Sequence, residues 1–226
     1  NHDQPRALNR FVDIQHFRNE GATMLAASIH LSRGTPYIYM GEEIGMVDPD
    51  YDSMADYVDV ESINAYQMLL KEGKSEQEAF QIIQAKSRDN SRTPMQWDAS
   101  ENAGFTRGTP WLKAGKSYPQ INVENEIKGP IFAFYQNLIR LRKAMPLISE
   151  GSYKPAFEDS QQVYAFERQY EDEKLLVLNN FYATEVEIEL SAAYQNGQIL
   201  ISNYEDVEVS EKILLKPYQT LAIYVN

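Results

Sequence analysis

The sequence predicts an α/β part followed by an all-β tail. Three observations carry that prediction. Before Pro146, apolar residues at helical spacing alternate with short apolar runs. After Met145-Pro146 the apolar period falls to two. Turn residues recur between the later runs, as in a small antiparallel sandwich. At 226 residues the chain has room for one large domain or two small ones, and enough length to bury a core.

The elements follow in order. Ala22, Leu25, Ala26 and Ile29 lie at helical spacing within Glu20 to Ser32, and Gly34-Thr35-Pro36 ends that helix. Tyr37-Ile38-Tyr39-Met40 reads as a short buried parallel strand closed by Gly41. Ser75 with Glu78 makes a capping box, starting a helix through Phe80 and Ile83 towards Lys86. Pro130 suits the first turn of the next helix. Ile131, Phe134, Tyr135, Leu138 and Leu141 form its apolar stripe, while Gln136, Asn137, Arg140 and Lys143 face water. Thr184 to Leu190 then alternates strictly, with Val186, Ile188 and Leu190 on one face and three glutamates on the other. Further strands are expected at Val163 to Arg168, Lys174 to Leu178, Gln198 to Ile201, Ile213 to Lys216 and Leu221 to Val225. The change of period sets a domain boundary at 147/148. No internal repeat is visible.

The bulk numbers exclude several function classes. A formal net charge of -12 and the lack of a basic stripe argue against nucleic acid or an anionic membrane as partner. No apolar run approaches the ~20 residues of a membrane span. The chain has no cysteine, hence no disulfide framework and no thiolate metal site. A reducing cytosol fits that, so a cytoplasmic location is expected. No cofactor motif occurs. Asp48, Asp50 and Asp52 have calcium-loop spacing, but an EF-hand then needs Gly and Glu where Ser53 and Asp59 stand. A solvated acidic loop is expected there, with no metal.

Two stretches carry chemistry. Asn1-His2-Asp3-Gln4-Pro5-Arg6 puts a carboxylate, an imidazole and a guanidinium within one turn's length. A polar surface turn uses the same residue types, and His2 could be a packed histidine. A sugar site also needs them, because a carboxylate and an imidazole can hold adjacent ring hydroxyls while an arginine fixes the loop. The second stretch is Ser87-Arg88-Asp89-Asn90-Ser91-Arg92-Thr93-Pro94-Met95-Gln96-Trp97-Asp98. Together they resemble the α-amylase superfamily of glycoside hydrolases, family 13, and within it the bacterial α-glucosidase branch. The resemblance covers nearly the whole chain.

The resemblance implies a (β/α)8 barrel followed by a β-sandwich. A complete barrel takes ~250 residues. Residues 1–147 would thus be the C-terminal strand-helix units of an incomplete barrel, and residues 148–226 the antiparallel sandwich. The missing N-terminal part of the barrel would be a partner, supplying the nucleophile and the acid before Asn1. Asp3 then matches the family's third carboxylate and His2 a second hydroxyl ligand, both on the catalytic face. Arg88 matches an arginine of the sugar subsite, where its rigid fork can pair with a carboxylate and a hydroxyl together. Arg92 has a weaker claim, with a structural ion pair as the equal alternative. Glu61 would help form the leaving-group subsite, or would simply be a first-turn helix charge. Glu42 and Glu43 are read as structural, and Trp97 as part of the loop wall.

The segments around Glu61 and Arg88, with Tyr118 to Val123, most resemble trehalose-6-phosphate hydrolases, with oligo-1,6-glucosidases or dextran glucosidases next. The expected substrate is therefore a small sugar or sugar phosphate, cleaved with retention of configuration. Two other classes stay open. One is a non-catalytic glucosidase-like interaction subunit, which has no need of this ligand set. The other is a freestanding carbohydrate-binding sandwich, which covers only the tail, where Tyr182, Tyr194 and Tyr204 are scattered.

Overall fold

Asp13 accepts a hydrogen bond from the Gln15 amide (3.2 Å) and so caps the longest helix, Ile14–His30. All 226 residues are described by this computed structural model. The chain groups into two compact units: Asn1–Arg10 with Tyr39–Gly129, and Phe11–Ile38 with Pro130–Asn226. This grouping follows proximity in space, whereas the 147/148 boundary follows the change of period along the chain.

The first unit is built from short helices and capped loops. After α1 (Ala7–Phe11), which the units share, comes a 3-10 turn at Glu42–Ile44. Gly41 ahead of it has φ of 90°, and a Cβ there would meet the Met46 side chain. Glu42 accepts from the Tyr39 amide and Glu43 from the Gly41 amide, so both carboxylates serve this loop's backbone. Asp59 caps α3 (Val60–Lys71), and the Ser75–Glu78 capping box opens α4 (Glu76–Lys86) as read from the sequence. Tyr51, Tyr57 and Ile83 form an aromatic-rich core under these helices, with Phe80 and Leu69 packed on it. A 3-10 turn at Arg88–Ser91 follows α4 directly, and α5 (Val123–Glu126) is capped by Asn122.

In the second unit, Ile14–His30, here α2, packs against α6 (Pro130–Ala144). The predicted stripe of α6 holds at four of its five residues: Ile131, Phe134, Tyr135 and Leu138 are buried, and Leu141 near the end of the helix is half-buried. A single turn, α7 (Pro146–Ser149), leads into the strands. These are β1 (Ser152–Ala156), β2 (Val163–Tyr170), β3 (Glu173–Asn180), β4 (Val186–Glu189), β5 (Gln198–Ser202), β6 (Lys212–Leu215) and β7 (Thr220–Val225). One antiparallel sheet has the order β1-β2-β3-β7-β5, and β4 pairs with β6 in a second. Side chains of both sheets share one core, including Leu176, Leu178, Ile188, Leu215 and Leu221.

Two expectations fail. Tyr37-Ile38-Tyr39-Met40 joins no ladder, and Tyr37 is 82% exposed. A parallel strand depends on ladder bonds to its neighbours and on cover for both faces, and all the strand pairs in this chain are antiparallel and lie after Gly151. Asp48 is also not part of a solvated acidic loop. It is half-buried, with its carboxylate accepting from the Arg6 amide (2.9 Å) and from Asn90 Nδ2 (3.3 Å).

Candidate active site

The opening turn is held from three sides. Asn1 Oδ1 accepts from the Asp3 amide at 2.8 Å, a local turn of the kind Asn favours. The Arg6 guanidinium is buried and donates to the Met40 carbonyl (3.0 Å), beside the Tyr39 ring. Burial pushes Arg6 below its ordinary value, with Tyr39 and Asp48 opposing the shift. The turn is therefore anchored by an arginine, while His2 and Asp3 stay exposed beyond it. His2 Nε2 lies 3.3 Å from Asp3 Oδ2, so His2 is not a packed core histidine.

Arg92 reaches this turn from the end of the Arg88–Ser91 segment. Its Nε donates to the His2 carbonyl (2.8 Å) and its Nη2 to Asp3 Oδ1 (3.1 Å). Arg92 Nη1 lies 3.7 Å from Asp59 and 3.9 Å from Asp89. Arg88 stands beside it. Its Nη2 bonds Asp59 Oδ1 (2.6 Å) and pairs with Glu61 Oε2 (3.1 Å), its Nε faces Asp59 Oδ2 (3.4 Å), and its Nη1 is 4.0 Å from Asp3 Oδ1. All five residues singled out in the sequence thus meet: His2, Asp3, Glu61, Arg88 and Arg92.

Two carboxylates at the base of this cluster were missed. Asp89 is fully buried, and its Oδ2 accepts from the Val58 and Asp59 amides, each at 2.8 Å. Asp59 is nearly buried and accepts from the Ser62 amide (3.1 Å) as well as from Arg88. Burial alone would raise the Asp59 carboxyl, but the bonds from Arg88 and Ser62 outweigh it and hold it below the usual range. The bond to Asp59 raises Arg88 in turn. A signal for both was present: Asp59 stands where a helix cap belongs, and Asp89 precedes Arg92 at i,i+3 spacing.

The cluster offers hydroxyl-binding chemistry. Ionised carboxylates accept and guanidinium forks donate, so together they can hold neighbouring ring hydroxyls from both sides. Trp97 is half exposed, with its amide bonded to the Ala103 carbonyl.

Residues 1–151 match the family model described as the alpha amylase catalytic domain. The chain belongs to the α-amylase family. Residues 163–221 match the alpha-amylase SusG C-terminal domain. Trehalose-6-phosphate hydrolase of Bacillus subtilis is 43% identical over 227 residues, covering 98% of this chain and 40% of that protein. Oligo-1,6-glucosidase of Halalkalibacterium halodurans is 43% identical over 225 residues, covering 97% of this chain and 40% of that protein. The crystal structure of Bacillus licheniformis trehalose-6-phosphate hydrolase superposes with a TM-score of 0.94 at 46% identity, covering 99% of this chain and 42% of the other. The chain therefore spans about 40% of the length of the relatives it matches.

Proposed function

We propose that this chain is the C-terminal portion of a retaining α-glucosidase that hydrolyses trehalose 6-phosphate to glucose and glucose 6-phosphate. Residues 1–147 belong to its catalytic barrel and residues 148–226 to its β-sandwich, and it works in the cytoplasm. The observation that carries the reading is the convergence of Asp3, His2, Arg88, Arg92 and Glu61 at one surface cluster.

Asp3 is the carboxylate that grips ring hydroxyls as positive charge develops on the sugar. The transition state is oxocarbenium-like, and hydrogen bonds to the 2-OH strengthen as it forms. His2, 3.3 Å from Asp3, binds the neighbouring hydroxyl. Arg88 and Arg92 hold Asp3 in place and donate to the sugar, and Glu61, reached by Arg88, borders the leaving group. The nucleophile and the acid come from the part of the barrel before Asn1.

A second reading has a specific observation behind it. An oligo-1,6-glucosidase is as similar to this chain as a trehalose-6-phosphate hydrolase is, at 43% each. The test is kcat/KM of the full-length enzyme for trehalose 6-phosphate, trehalose and isomaltose under one set of conditions. Trehalose 6-phosphate should be preferred over trehalose if the site pairs a cation with the phosphate, since that cation is left unpaired without it and each charge-assisted bond is worth ~1.5–3 kcal/mol. A preference for isomaltose would replace the first reading by the second.

A further inference from the structure

We propose that Asp59 is a positioning residue that aims the Arg88 fork at Asp3 and the bound sugar. The proposal rests on the reading of Asp3 and Arg88 as sugar ligands. Arg88 has five N–H donors. Asp59 takes its Nε and Nη2 edge, at 3.4 and 2.6 Å, and Glu61 takes Nη2 as well, at 3.1 Å. Nη1 then faces Asp3, 4.0 Å from Oδ1. An arginine on a flexible stem has many rotamers, but an edge-on grip by a fixed carboxylate leaves one plane for the guanidinium.

Asp59 is itself fixed. Its backbone amide donates to buried Asp89 and its Oδ2 accepts from the Ser62 amide, so the α3 cap and the arginine grip use one carboxylate. Ser62 Oγ lies 3.1 Å from Asp59 Oδ2 and 2.8 Å from Ser87 Oγ, next to Arg88 in the chain. Asp89 also stands 3.9 Å from Arg92, the second cation on Asp3. The two buried carboxylates thus form a floor that orients both arginines. Glu61 is exposed and belongs to the rim.

The dual role of Asp59 allows a clean test in the full-length enzyme. Asp59→Asn and Asp59→Ser both keep a good helix cap. With the Asn oxygen on the Ser62 amide, its NH2 opposes the Arg88 donors, and Ser is too short to reach them. Both variants should melt within a few degrees of the parent. Both should lose roughly 10- to 100-fold in kcat/KM, mainly through kcat, because a misaimed fork misplaces the reacting sugar. In an Arg88→Lys background the same changes should add little, since the residues act as one unit. Normal kcat/KM in Asp59→Asn and Asp59→Ser, with Arg88→Lys impaired, overturns the positioning role and leaves the sugar site standing. Losses that simply multiply in the double variants overturn it too. An Arg88→Lys enzyme with normal turnover removes the sugar-site reading, and the role of Asp59 with it.

Discussion

Asp48 shows how far a single carboxylate can depart from its sequence context. Burial pushes it up to about 6, against the opposing pull of the Arg6 amide and guanidinium. The sign of its effect on stability follows. Between roughly pH 4 and 6 the native chain holds a proton that the unfolded chain has released. The stability due to this group therefore falls as pH rises through that window. A carboxyl titration followed by NMR should place the Asp48 midpoint near 6, and Asp48→Asn should remove its share of the pH slope in denaturant melts. A midpoint below 4 would mean the side chain is hydrated after all. The sequence suggested solvation because Asp48, Asp50 and Asp52 look alike, yet only the latter two face Lys116 at the surface. Burial is decided by what folds over a residue, here Arg6 and Asn90, which lie 42 positions away on either side. The pairing of Asp3 with His2, by contrast, was legible because those two are neighbours both in sequence and in space. In the full-length enzyme Asp3→Asn should lower kcat at least ~10²-fold with a much smaller change in KM, since the amide keeps size but not charge. Near-normal kcat would detach Asp3 from the sugar.

Elements were legible where their signals were local. The Ser75–Glu78 box and the α6 stripe depend on residues three or four apart, and both formed as read. The six expected strands of the tail also formed, whereas β1 was missed because Pro155 and exposed polar residues disguise it. Proline is tolerated there since β1 is an edge strand, paired only with β2. The least legible feature is Arg168. It sits in β2 with its side chain fully buried and donates to the carbonyls of Leu31, Ile148, Gly151 and Ser152. Those carbonyls come from the end of α2, from α7, from the turn after it and from β1, so one guanidinium in β2 ties two helices and a turn to the sheet and braces its edge strand. Burial lowers its pKa to about 10, with Arg142 and Arg33 adding to the shift. Arg168→Met keeps much of the volume but leaves four carbonyls without their donor. At about 1–3 kcal/mol for each buried unsatisfied group, a loss of at least ~3 kcal/mol is expected even after partial relaxation. Denaturant melts should show a lower midpoint with an unchanged slope. A shift under ~1 kcal/mol would mean that water replaces the guanidinium at little cost.

At the scale of the whole molecule, the sequence pointed to the candidate site through two motifs about 85 residues apart, which the fold brings within 4 Å of each other. It did not reveal the carboxylate floor, because Asp59 and Asp89 read locally as ordinary helix-start residues. The same floor bears on what this chain can do alone. A retaining glycosidase needs two carboxyl groups ~5–5.5 Å apart flanking the bond to be cleaved, one attacking and one protonating. Asp59 is committed to Arg88 and the Ser62 amide, and Asp89 to two backbone amides. Glu61 pairs with Arg88, and Asp3 with Arg92. The bond from Arg88 holds the Asp59 carboxyl below its usual range, which keeps it ionised and disqualifies it as a proton donor. Asp3 is moreover exposed, so its charge is screened by water instead of acting in a closed, low-dielectric site. The purified 226-residue chain should therefore release no glucose from trehalose 6-phosphate or isomaltose above the uncatalysed background. Adding the preceding part of the barrel in the same polypeptide should restore turnover. Glucose release by the purified chain, abolished by Asp3→Asn, would mean that the acid and nucleophile lie among these residues, and the C-terminal-portion reading would fall.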